Sequence, residues 1–106
     1  MKTYAVITPV KTYEGTQMLP SMVTESIEEA QAYARQTKSR LEARKFYHWA
    51  KHIKIVAPKT PEGYRELSSQ VLAYGHDLDY ASNGNSIYAQ NLINWGNKLR
   101  KLAQAK

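Results

Sequence analysis

The sequence predicts an α+β fold. It should hold a small antiparallel or mixed sheet of about three strands and three helices, in the order β-β-α-β-α-α. Three observations carry this expectation. Two stretches near the start are rich in Val, Ile, Thr and Tyr, residue types that suit a pleated, half-buried surface. Ser26-Ile27-Glu28-Glu29 has the form of a capping box that opens a helix. The last third repeats apolar residues at three- and four-residue steps on either side of Asn83-Gly84-Asn85.

Residues 3–10 read as the first strand, and Pro9 implies an edge position or a bulge near its end, because proline cannot donate to a ladder. Glu14-Gly15-Thr16 supplies a turn. Residues 16–24 form a second, irregular strand, in which Pro20 again argues for an edge, so the pair reads as a hairpin. At Ser26 the hydroxyl accepts from the backbone N–H of Glu29, and the Glu29 carboxylate reaches back to the N–H of Ser26. Both glutamates sit at the positive end of the helix dipole. Ile27, Ala30, Ala34, Thr37 and Leu41 then recur on one helical face from about residue 27 to 42. That face is built largely of small residues and allows close approach to a sheet.

Residues 43–57 fit two patterns. Phe46, Trp49, Ala50 and Ile53 suit a continuing helix, whereas Tyr47, Trp49, Ile53 and Ile55 suit an alternating strand. The β-branched residues favour a helix end or loop at 44–50 and then a strand at 52–57, closed by Pro58. Thr60-Pro61 restarts a helix, with threonine as the cap and proline at the first helical position. Tyr64, Leu67, Val71, Tyr74, Leu78 and Ala81 form its seam. Gly75 lies inside that seam at a cost of about 1 kcal/mol relative to alanine, so an early end there is the alternative. Ser86 caps a last helix with the seam Tyr88, Leu92, Trp95, Leu99 and Leu102. The short turn between the two seamed helices predicts an antiparallel helical hairpin.

The 106 residues suit a single α+β domain spanning 1–106, since no Pro/Gly/Ser-rich linker interrupts them. The chain has no cysteine, which excludes disulfide partners, thiolate metal sites and cysteine catalysis. The opening apolar run is shorter than a signal-peptide core and is broken by Pro9. No stretch approaches the roughly 18 apolar residues of a membrane span. These features predict a cytoplasmic protein that does not enter membranes. Nothing in the sequence requires a cofactor.

Charge is the feature that points to function. The net charge is +6, but residues 35–59 alone carry eight basic residues against Glu42, a local +7. Residues 98–106 add +4, and the remaining stretches are mildly acidic. Such a field attracts polyanions or acidic protein surfaces. Arg35, Lys38, Arg40, Arg44, Lys45, Lys51 and Lys54 interleave with Phe46, Tyr47, His48 and Trp49. Cations that neutralise phosphates beside rings that stack on bases are the physical requirements of nucleic-acid binding. The sequence therefore predicts a small basic nucleic-acid-binding or regulatory protein. Its candidate contacts are Arg35, Lys38, Arg40, Arg44, Lys45, Tyr47, Trp49, Lys51 and Lys54, joined by Lys98, Arg100 and Lys101. The alternative is a non-enzymatic interaction module, an accessory or inhibitor protein docking on an acidic partner surface, of the kind that phages and mobile elements encode. Against both stands the plainer reading of ordinary solvated cations, with Phe46 and Trp49 in the core.

Three other groupings carry less. His48 and His52 are four apart, which suits metal binding on a helix, but no Glu follows His48 and no carboxylate lies near in sequence, so no metal site is expected. His76, Asp77 and Asp79 could supply a base and orienting carboxylates. No nucleophile elbow or phosphate loop accompanies them, and the chain reads as non-enzymatic. The basic, amphipathic tail around Leu99 and Leu102 has the composition of a membrane-surface helix, but both leucines continue the helical seam.

Overall fold

Thr12, Tyr13, Glu14 and Gly15 reverse the chain between two long strands, and this turn sets the register of the N-terminal half. The structure, a computed structural model, describes residues 2–104. Its elements are β1 (Tyr4–Thr12), β2 (Gly15–Thr24), α1 (Ile27–Ala43), α2 (Tyr47–Ala50), β3 (Lys54–Val56), α3 (Pro61–Ala81) and α4 (Ile87–Gln104). The class is α+β, with one antiparallel sheet ordered β2-β1-β3. The chain falls into two compact units, Met1–Ala57 and Pro58–Lys106.

In the first unit β1 is the central strand, and the two prolines are accommodated in different ways. Pro20 lies on β2, an edge strand. The β1–β2 register shifts between Val6, opposite Met22, and Ile7, opposite Pro20, so Ser21 is an extra residue in a bulge. Pro9 lies on the central strand, but β3 pairs only with Ala5, Val6 and Ile7. Beyond Ile7 one side of β1 is itself an edge, and a proline there costs no ladder bond. Ala5, Val6, Ile7, Val23, Ala30 and Ala50 are the buried apolar residues of this unit.

Helix α1 packs on all three strands. Its opening departs from the expected capping box in one detail. The Ser26 hydroxyl accepts from the Glu29 N–H at 3.2 Å, as predicted. The Ser26 N–H, however, donates to the Thr24 hydroxyl at 3.1 Å, and that hydroxyl donates to the Glu29 carboxylate at 2.8 Å. Thr24 thus relays the reciprocal bond. Farther along, the Tyr33 hydroxyl donates to Ser21 Oγ at 3.0 Å, and Ser21 Oγ lies 2.6 Å from Thr8 Oγ1. This chain of hydroxyls ties the helix to the bulge.

The second unit is the α3/α4 hairpin. Thr60 caps α3 through the Gly63 N–H at 3.1 Å, with Pro61 in the first turn, and Ser86 accepts from the Ala89 N–H at 3.0 Å. The helices run antiparallel: Asp79 meets Gln90, Tyr74 meets Tyr88, Gly75 faces Leu92 and Ile93, and Ser68 reaches Gly96. Helix α3 continues through Gly75; a Cβ there would stand 3.0 Å from the Ile93 side chain and 3.2 Å from its backbone nitrogen, so the glycine serves the close approach of α4. The seam of α4 keeps Leu92 and Leu99 of the expected one but exchanges Tyr88, Trp95 and Leu102 for their C-terminal neighbours. Ala89, Leu92, Gly96, Leu99 and Ala103 are buried, while Tyr88 is 43% exposed. Small residues alternate with leucines along the stripe, which lets the two backbones come close.

Candidate functional site

The basic segment begins within α1, at Arg35, and continues past the C-terminal end of the helix. That end is a Schellman motif: the Lys45 N–H donates to the Glu42 carbonyl at 2.9 Å, and the Phe46 N–H to the Leu41 carbonyl at 2.8 Å. The motif needs a left-handed residue, usually glycine, and here Lys45 takes it with φ 65°. The reversal throws the chain directly into the single turn of α2. Tyr47, His48 and Trp49 are carried there, and the Ala50 N–H closes the turn on the Phe46 carbonyl at 3.0 Å.

All the predicted cations of this segment, Arg35, Lys38, Arg40, Arg44, Lys45, Lys51 and Lys54, are exposed. They do not form one stripe. At about 100° per residue, Arg35 and Lys38 project from roughly the opposite side of α1 to Arg40 and Arg44. The latter pair shares the C-terminal end of the helix with Lys45, with α2 and with Lys51 beyond it. Cations here also suit the negative end of the helix dipole. The acidic residues Glu25, Glu28 and Glu29 lie at the other end of α1. The first unit is therefore polarised along this helix.

The aromatic residues are arranged differently from the core placement that the plainer reading gave them. Phe46 is 48% exposed and Tyr47 59% exposed, so neither is core. Trp49 is half-buried, and its ring meets that of His48 edge-on with centroids 5.4 Å apart. Burial of Ala50 holds the turn in place. The turn that follows α2 brings His52 edge-to-face with His48, centroids 4.8 Å apart. Among the described residues no group of three or more His, Cys, Asp or Glu is placed to hold a metal ion.

The topology brings a second element to the same end of the sheet. Pairing of Tyr4 with Thr24 marks one end, and the β1–β2 turn marks the other. Helix α1 starts next to Thr24 and passes Ser21 at Tyr33. The ten residues from Tyr33 to Ala43 carry it about 15 Å farther, towards the turn. Strand β3 enters the sheet opposite Ile7 and runs to Val56 opposite Ala5, so the chain that precedes it also comes from the turn end. The turn carries Tyr13, 91% exposed, with Lys11 exposed beside it. Neither residue belongs to the basic segment that charge picks out in the sequence. The signal was an aromatic residue inside a turn, where it has nothing to pack against.

Lys98, Arg100 and Lys101 belong to α4 of the second unit, where all three are exposed. The Lys98 ammonium lies over the Trp95 ring, 4.7 Å from its centroid. His76 and Asp77 are exposed on α3, and the Asp79 carboxylate accepts from the Gln90 amide at 2.7 Å, a contact that joins the two helices. Among the described residues no helix is long and apolar enough to cross a membrane. Comparison with protein-family models, with curated proteins and with solved structures yields no match.

Proposed function

We propose that this is a non-enzymatic nucleic-acid-binding protein of the cytoplasm, acting through the corner formed by the C-terminus of α1 and by α2. The observation that carries the reading is the exposure of Phe46 and Tyr47 among Arg40, Arg44, Lys45 and Lys51. A stable fold has no need to leave two aromatic rings in water beside four cations. Phosphates neutralised by the cations supply affinity through counterion release. The rings add contacts to bases or sugars that charge alone does not give. Arg35, Lys38 and Lys54, on other faces, extend the positive field and steer approach.

Lys45 strengthens the reading. A lysine at a position where glycine is favoured costs stability, and such local strain points to use rather than to folding. The same corner also suits a second reading, docking on an acidic protein, because exposed aromatic residues beside arginines are typical of protein-interface anchors.

Two experiments separate these readings. Fluorescence anisotropy with labelled oligonucleotides at 50 mM salt should show binding that weakens steeply by 200 mM; absence of binding at 50 mM salt contradicts the proposal. In a pull-down from source lysate, a partner lost on nuclease treatment supports nucleic acid, whereas a protein partner that survives it supports the second reading.

A further inference from the structure

We infer that the surface takes single-stranded nucleic acid, and that the β1–β2 turn, through Tyr13 and Lys11, is its second contact element. The inference rests on the binding function proposed above and adds to it the class of ligand and two residues outside the basic segment.

The turn is built to hold Tyr13 outward. Tyr13 and Glu14 are its two central residues, and Gly15 follows with φ 103°, a backbone that L side chains rarely adopt. Thr12 fastens both sides: its hydroxyl accepts from the Glu14 N–H at 3.2 Å and donates to the Gly15 carbonyl at 2.8 Å. The one carboxylate at the tip, Glu14, accepts from the Gln17 amide at 3.1 Å. Tyr13 itself is 91% exposed on this braced turn. A tyrosine so placed contributes nothing to a core and gives a flat, pre-positioned ring.

Three exposed rings, Tyr13, Phe46 and Tyr47, thus belong to the turn end of the first unit, with Lys11, Arg40, Arg44, Lys45 and Lys51. This combination selects the ligand. Ring stacking requires base faces that are free, and in a duplex they are covered by neighbouring base pairs. A duplex reader instead needs a helix or ribbon with its polar contacts on one face. Here α2 is a single turn, the cations of α1 fall on two sides, and β2 carries no cation at all. Stacking platforms with scattered cations fit a flexible strand that can follow them.

The test uses the full chain, a labelled 20-nucleotide oligo-dT and a 20-base-pair duplex, with anisotropy read at 50 mM salt. The wild type should bind the single strand at least about tenfold more tightly than the duplex. Tyr13→Leu should weaken single-strand binding about fivefold or more, as expected for one lost stacking contact, and leave duplex binding unchanged. Tyr13→Phe keeps the ring and should restore wild-type affinity. Because Tyr13 is so exposed, an unchanged melting curve for both variants is the check on folding. Equal affinity for strand and duplex, or wild-type binding by Tyr13→Leu, overturns the inference while leaving charge-driven binding intact. Failure to bind either oligonucleotide, with retention on a polyglutamate resin, removes the underlying reading too and assigns the surface to an acidic protein.

Discussion

The hydroxyl of Ser68 donates a buried 2.8 Å hydrogen bond to the carbonyl of Gly96, joining α3 to α4 at the point where their backbones come close. A Cβ on Gly96 would stand 2.5 Å from Leu72 Cγ and 3.3 Å from the Leu72 nitrogen. Gly96→Ala should therefore destabilise the protein. Overpacking of about 1–3 kcal/mol outweighs the roughly 1 kcal/mol that alanine gains over glycine in a helix. Ser68→Ala removes only the hydrogen bond and should cost about 1 kcal/mol. Urea unfolding of both variants checks the signs: each should be destabilised, and a stabilised Gly96→Ala would contradict the close approach.

That contact also shows why the sequence is easier to read for elements than for their phase. Thr60-Pro61, Ser86 and Asn83-Gly84-Asn85 are local signals, and the helix ends they mark are set by local hydrogen bonds. The seam of α4 is a tertiary property. Hydrophobicity selected Tyr88, Trp95 and Leu102, but close packing selected Ala89, Gly96 and Ala103, whose small side chains give no apolar signal. The one-turn helix α2 is shorter than any periodicity can register, so residues 44–50 looked like a helix end or loop. Pro9 implies an edge position or a bulge, and it lies on the central strand, past the reach of β3. At the candidate site the cations were legible because charge shows in composition. The exposure of Phe46 and the place of Tyr13 beside the sheet end were not, since both depend on where the chain turns.

Lys45 should show stability and binding pulling in opposite directions. Its φ of 65° is disfavoured for any side chain. Lys45→Gly should raise unfolding free energy by about 0.5–1 kcal/mol, measured by urea or thermal denaturation. The same variant loses one phosphate contact and should bind oligo-dT more weakly with a shallower salt dependence. Greater stability with unchanged binding would remove Lys45 from the interface.

Two threonines predict opposite outcomes for the same substitution. Thr8 Oγ1 lies 2.6 Å from Ser21 Oγ, which also accepts from the Tyr33 hydroxyl. Thr8→Val should cost about 1–3 kcal/mol, because it strips a partner from a buried hydroxyl. Thr37 Oγ1, on the buried side of α1, has no hydrogen-bond partner among the described residues. Thr37→Val should be neutral or stabilising by about 1 kcal/mol, as an unpartnered buried polar group is removed. Thermal melts of the two variants, run side by side, compare the signs.

The relay at the start of α1 gives a further check. The Thr24 hydroxyl accepts from the Ser26 N–H and donates to the Glu29 carboxylate. Thr24→Val should cost about 1 kcal/mol, in the range of a lost helix cap. If the conventional capping box operated instead, with Glu29 bonded directly to Ser26, Thr24→Val would have little effect and Glu29→Ala would carry the loss. Chemical denaturation of the two single variants and of the double variant distinguishes the arrangements, since a relay makes their effects non-additive.

The salt dependence of binding tests the proposed function most directly. Log K for oligo-dT should fall linearly with log salt concentration, with a slope of about −0.7 for each phosphate neutralised. Replacing Arg40, Arg44 and Lys51 with glutamine, together with Lys45→Gly, should make that slope shallower by roughly 2–3 while the protein stays folded. The same slope in wild type and variant would contradict the assignment of the interface to the α1–α2 corner.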